Sequence, residues 1–255
     1  MELLEARRLS KVYKTRRGMR QCAALRNVSF TVNEGEFLAI MGPSGSGKTT
    51  LLNILASLDK PTGGEVLLDG RSFADIKDSG LSAFRRTKLG FVFQDFNLLD
   101  SFSLKDNILL PLVLSKRAVP EMEARLRPVA ELLHIETLLD KYPYEVSGGE
   151  KQRAAVARAM ITDPRLILAD EPTGSLDSQA SRALLENFST FNRQGKTILM
   201  VTHSAQAASY AGRVLFIRDG EIFSQIYRGE GGNRAFFDRI VASLTLLTDG
   251  GGDIA

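Results

Sequence analysis

Three short apolar runs constrain this chain most, because each ends abruptly in polar residues and two lead into clear helical patterns. Residues 36–41 (EFLAIM) run into a glycine-rich segment, residues 165–170 (RLILAD) into Glu171, and residues 197–201 (TILMV) into His203. Their apolar character is continuous where a half-exposed strand would alternate, so they read as strands of a parallel sheet buried on both faces. Helical patterns over residues 48–57 and 178–193 complete an α/β core whose strands deliver residues at their C-terminal ends.

Two regions depart from that core. Residues 1–35 and 64–70, with NVSFTV and GEVLLDG, alternate like antiparallel strands bounded by glycine turns and predict a side sheet. Residues 96–161 turn helical: SLKDNILLPLVLS, then PEMEARLRPVAELLHI from a helix-favouring Pro120, then VSGGEKQRAAVARAM. The expectation is one domain over residues 1–255. Its core and side sheet take 1–95 and 162–228, a helical lobe takes 96–161, and a C-terminal helix and tail take 229–255.

A chain of 255 residues, 44% hydrophobic, has ample core for this. Its apolar runs fall far short of the roughly 18 residues that span a bilayer. The N-terminus, MELLEARRLSKVYK, mixes charges where a secretion signal needs an apolar core. Cys22 is the only cysteine, and His134 and His203 are the only histidines, so neither a disulfide framework nor a transition-metal cluster is expected. These features read as a cytoplasmic protein. The net charge is +3, with Lys11, Lys14, Arg16, Arg17, Arg20 and Arg26 gathered near the N-terminus. That cluster is open between a solvated face and attraction to phosphate or lipid headgroups.

The chemistry sits at the strand ends. GPSGSGKT, residues 42–49, fits G-x-x-x-x-G-K-[ST] between a predicted strand and a predicted helix. Gly42, Pro43, Ser44, Gly45, Ser46 and Gly47 would wrap phosphates with backbone N–H groups, with Thr50 in the following turn. Lys48 would reach the terminal phosphates and the Thr49 hydroxyl would bind magnesium. Asp170 is placed to hold magnesium and Glu171 to polarise an attacking water. His203 is placed to contact a γ-phosphate, and the Gln94 amide, ending LGFVFQ, to bind magnesium or water. Ser147, Gly148 and Gly149 open another helix and form a second anion cradle.

The ordered set GPSGSGKTT, FQD, VSGGEKQR, ILADEPTGSLD and VTH resembles the ATP-binding subunit of an ABC transporter over essentially the whole chain. The resemblance implies a RecA-like P-loop NTPase core with an antiparallel β side sheet and an inserted α-helical lobe, and ATP and Mg²⁺ as cofactors. It also explains the second cradle. In this family the signature of one subunit closes over ATP held by the loop of another, so Ser147 and Gly149 would serve a partner's γ-phosphate, with Gly148 and Glu150 beside them. Tyr13 would stack on adenine as the family's N-terminal aromatic does. The implied partners are a second copy of the chain and a separate membrane permease, with the chain at the cytoplasmic face of the membrane.

Within the family, LDKPTGGEVLLDG and FQDFNLLDSFSLKDNILLPL resemble the lipoprotein-release and macrolide-export group. KYPYEVSGGEKQR and the segment after VTH look closest to the bacitracin-export type. Glu150 replaces the usual signature glutamine, Ser175 a common alanine, and Ser204 a frequent aspartate. A DNA-associated ABC ATPase would carry a long coiled coil between loop and signature, and a translation factor two cassettes; neither pattern is present, and no nucleic-acid partner is expected. Phe96, Leu98, Leu99 and Phe102 are open between a permease groove and core packing. In NRAFFDRIVASLTLL, Phe236, Phe237, Ile240, Val241, Leu244 and Leu247 share a helix face. That face is open between the chain's own core, a protein interface and a membrane surface.

Overall fold

The computed structural model describes residues 1–14 and 21–249, with side chains through 246. Arg16, Arg17 and Arg20 of the basic cluster, the Leu247 side chain and the DGGGD tail beyond Asp249 lie outside the described residues. The chain forms two compact units, Met1–Ile76 with Leu199–Ala255 and Lys77–Ile198.

The first unit opens with β1 (Glu2–Lys14) and β2 (Gln21–Asn33), continues through β3 (Phe37–Met41) and α1 (Lys48–Leu55), and adds β4 (Gly63–Leu68) and β5 (Arg71–Ser72). The predicted side sheet is antiparallel in the order β2-β1-β4-β5. Its register sets Ala6 opposite Phe30 and Val66, and Leu4 opposite Val32 and Leu68. These inward residues are buried, which is what an alternating pattern with one covered face specifies. β1 bulges at Arg8, whose φ is +47°.

The second unit contains α2 (Asp78–Lys88), β6 (Leu89–Val92), α3 (Leu104–Leu114), α4 (Val119–Leu133), α5 (Gly148–Met160), β7 (Leu166–Asp170) and α6 (Ser178–Arg193). β6 and β7 pair in parallel. α4 carries Pro120 in its first turn, where a missing N–H costs nothing. α2 has no counterpart in the sequence reading; DSGLSAFRRTK fully buries no residue, and only Leu81 and Phe84 mark an apolar side.

The chain leaves this unit within β8 (Thr197–Val201) and returns to the first through α7 (Ala205–Ala208), β9 (Arg213–Arg218), β10 (Glu221–Tyr227) and α8 (Gly232–Asp249). β10, β9, β3 and β8 are successive neighbours, with β3 parallel to β9. β3 and β8 are buried at every position, in keeping with their unbroken apolar runs. β9 and β10 form a hairpin across Asp219 and Gly220, both with positive φ, the turn chemistry an Asp-Gly pair favours. α8 packs on α7, and its Phe236 and Ile240 are fully buried. Its first half therefore docks on its own unit, while Val241 and Leu246 are exposed.

Candidate functional site

In the first unit, β3 ends at Met41 and the chain turns directly into α1. Packing dictates two of the three glycines of this turn. A Cβ on Gly42 would lie 2.1 Å from the Ile217 carbonyl oxygen, and one on Gly47 2.3 Å from that of Ala24. Gly47 is also the N-cap of α1 at φ 100°, with no side-chain cap and no acidic residue in the first turn. The helix start is thus left to its own N–H groups. Ser46 is buried and its hydroxyl has no partner, while Pro43, Ser44 and Gly45 are exposed. Lys48 is buried, and its Nζ donates to the carbonyls of Gly42 at 2.8 Å and Pro43 at 2.9 Å, which holds the ammonium over the loop. Thr49 is exposed and Thr50 half-buried in the first turn.

Two further residues belong to this unit. The Tyr13 ring is exposed, and its hydroxyl donates to Asp59 Oδ2 at 2.8 Å while Lys11 donates to Asp59 Oδ1 at 2.6 Å. Burial raises the Asp59 carboxyl, but the hydrogen bonds from Lys11, Tyr13 and the Lys60 backbone outweigh it and leave the pKa below the ordinary range. Sequence reasoning missed Asp59 and the part Lys11 plays beside it, which together fix the direction of the Tyr13 ring. His203 is exposed beyond β8, on a strand end tied down where Thr202 N donates to Ile40 O at 3.1 Å. Ser204 caps α7 by accepting from Ala207 N at 3.2 Å, so serine serves here as a cap that an aspartate could also supply.

In the second unit, β7 delivers a half-buried Asp170, and Glu171 follows at φ 45°. That left-handed geometry is uncommon for a non-glycine residue and recurs at functional sites. The turn closes where Gly174 N donates to Glu171 O at 2.9 Å, and Asp177 caps α6 by accepting from Ala180 N at 2.8 Å. Gln94 is exposed two residues beyond β6, with its amide against Gly174, where a Cβ would lie 3.0 Å from Gln94 Cδ. The following loop is pinned by Asn107, fully buried, whose amide bonds Leu99 N and the carbonyls of Leu99, Phe102 and Ser103. Leu99 and Phe102 are exposed on it; Phe96 and Leu98 are half-buried.

The second cradle differs from the first. Ser147 caps α5 in a reciprocal box: Ser147 N and Oγ each donate to Glu150 Oε2 at 2.8 Å, and Ser147 Oγ accepts from Glu150 N at 3.3 Å. These bonds, the Ser147 N–H first, hold the Glu150 carboxyl below its ordinary pKa. A cleft of about 340 Å³ opens here between Ser147, Gly149, Arg153, Ser175 and Asp177. A larger one of about 660 Å³, lined by Arg8, Ser29 and Ser224 in the first unit, contains none of the predicted site residues. Among the described residues no group of three His, Cys, Asp or Glu side chains could hold a metal. Thr49 in the first unit, and Gln94 and Asp170 in the second, each carry a hard oxygen of the kind that magnesium accepts.

A glycine loop at a strand's C-terminal end, with its lysine opening the next helix, defines a P-loop NTPase. The chain belongs to the ABC transporter family, whose model matches residues 25–174, and it is an ATP-hydrolysing member. The ABC transporter ATP-binding protein YxdL of Bacillus subtilis is 50% identical over 254 residues, 99% of this chain and 97% of its own. The bacitracin export ATP-binding protein BceA of Halalkalibacterium halodurans is 44% identical over 248 residues, 97% of each. The dimeric structure of the ABC transporter cassette MJ0796 superposes with a TM-score of 0.82 at 38% identity, over 89% of this chain and all of that one. The fold is accordingly a RecA-like core with mixed and antiparallel sheets and helical insertions. YxdL, without the bacitracin name, is more similar than BceA, so the family assignment is firm at a coarser level than the bacitracin-export type.

Proposed function

We propose that this chain is the ATPase subunit of a transporter whose membrane permease is a separate polypeptide, and that two copies close on two ATP molecules. The observation that carries the reading is the pair of helix N-termini in one chain, one bare and glycine-lined at α1, the other signature-bearing at α5. Full-length similarity to YxdL and the likeness to a dimeric cassette support it.

In this reading the α1 N–H groups and Lys48 bind the β- and γ-phosphates, and Tyr13 stacks on adenine. Thr49, Gln94 and Asp170 would hold Mg²⁺, which when bound offsets phosphate charge. Glu171 accepts a proton from the attacking water, His203 contacts the γ-phosphate, and Ser147 and Gly149 serve the partner's nucleotide. No helix among the described residues is long and apolar enough to cross a membrane. Attachment at the cytoplasmic face would thus run through the permease, with exposed Leu99 and Phe102 offered to it.

Glu171→Gln tests the chemistry. It should keep ATP binding, lower turnover by about 10²- to 10⁴-fold, and accumulate an ATP-dependent dimer by light scattering. Normal turnover would remove Glu171 from the role of base. The cargo class we propose is an antimicrobial peptide of the bacitracin kind, from the resemblance to BceA. Deleting the chain from its host should lower bacitracin tolerance; unchanged tolerance would redirect the cargo and leave the ATPase reading standing.

A further inference from the structure

Two polar side chains of α5 have no part in the roles above. Gln152 is fully buried on a helix face made otherwise of alanine and valine. Its Nε2 donates to Phe93 O at 3.2 Å and to Pro172 O at 2.7 Å. The first carbonyl directly precedes Gln94 and the second directly follows Glu171, so one amide fixes the backbone beside both. Further along the helix, Arg158 donates to Asn97 O at 2.5 Å and to Phe96 O at 2.8 Å. Phe96 and Asn97 have φ of 61° and 50°. Adjacent non-glycine residues hold such left-handed geometry only where their surroundings impose it, and the Arg158 fork meets both carbonyls.

The Gln152 Oε1 atom is buried with no hydrogen-bond partner. An orphaned buried acceptor destabilises the fold, and an apolar side chain of the same volume would avoid that cost. What the glutamine provides in return is the pair of bonds from its Nε2. Resting on the ATPase reading, we infer that Gln152 and Arg158 are positioning residues that lock the Gln94 loop to the signature helix, so that α5 sets where the Gln94 amide stands. Neither residue touches nucleotide in this scheme; Arg158 acts through the Gln94 loop, and Gln152 acts chiefly through that loop with a second hold on the turn after Glu171.

The test is a double-mutant cycle on the full chain, with ATPase measured against Mg²⁺ for Gln152→Met, Gln94→Ala and the pair. Gln152→Met should lower kcat and raise the Mg²⁺ needed for half-maximal rate, by the roughly 10- to 100-fold that loss of an outer-shell partner brings. Metal-free nucleotide affinity and the circular dichroism spectrum should not change. In the Gln94→Ala background the same substitution should lose most of its effect, since the main group it positions is gone and only the hold on Pro172 O remains. Additive losses would overturn the inference, because a purely structural role predicts them. If Gln94→Ala by itself is silent, the assigned role of Gln94 fails and this inference with it. Should Gln152→Met not fold, Arg158→Lys, which keeps the charge but not the fork, enters the same cycle with the same outcomes.

Discussion

The starts of α1 and α5 are both glycine-rich, yet they are built on opposite principles. At α1 two of the glycines are demanded by the chain itself, since a Cβ on Gly42 or Gly47 would sit 2.1 or 2.3 Å from a carbonyl oxygen of the same unit. At α5 the nearest atom to a Cβ on Gly148 is 3.7 Å away, an ordinary contact, and on Gly149 it is 3.0 Å away, the methyl carbon of Ala180. The N-terminus of α1 has no side-chain cap, whereas that of α5 is closed by Ser147 and Glu150. The first cradle lies within its own unit and opens its helix without a side-chain cap. The second is self-satisfied, and nothing in its own packing requires a glycine at 148. A bare surface there is what the proposed half-site, offered to another copy, would use.

The sharpest way to break this contrast is to compare the two cradles in nucleotide binding. Lys48→Ala should weaken ATP binding by roughly 10- to 100-fold in calorimetry, the range of a hydrogen bond to a charged group. Ser147→Ala should leave binding to the isolated chain unchanged, and an equal loss in both would erase the distinction. Next in size is the steric difference. Gly47→Ala should cost about 1–3 kcal/mol in urea unfolding, because the backbone must move to admit the methyl group. The cap comes after that: Glu150→Ala should lower stability by about 1 kcal/mol or less through loss of the reciprocal box. Gly148→Ala should go the other way, stabilising by about 0.4–1 kcal/mol through a stiffer unfolded chain, while ATP turnover falls.

The smallest effect concerns pH. The folded-state pKa of Glu150 is depressed, so its contribution is present above the ordinary carboxylate range and is lost as pH falls through the lowered value. The stability difference between wild type and Glu150→Gln should therefore be constant above about pH 5 and shrink in acid. A difference that persists at low pH would mean that the glutamate caps through something other than its charge.

Much of the site was legible because it is written in local chemistry. Lys48, Thr49, Asp170, Glu171 and His203 follow apolar runs that leave no choice but buried strands, and a strand end fixes where the next residues emerge. α2 was poorly legible because it fully buries no residue and its apolar signal rests on little more than Leu81 and Phe84 among charged and small residues. The β9–β10 hairpin did carry one, the Asp219-Gly220 pair. Gln152 could have been found as well: it falls in helical register with Ala155, Val156 and Ala159, and a polar residue on an apolar stripe asks for a partner.

By itself, then, the sequence determined the buried core strands, the side sheet and the helices that follow the motifs, the residues they deliver at their ends, and the family to which these motifs belong. Period, turn chemistry and motif spacing are properties of consecutive residues. Tertiary structure alone decided that Gly42 and Gly47 are sterically obligatory, that Tyr13 is held by Asp59, that Phe236 and Ile240 face their own unit, and that Gln152 and Arg158 grip the loop of Gln94. Each of these depends on atoms brought together from distant or separately folded segments, and no local pattern encodes a distance between them.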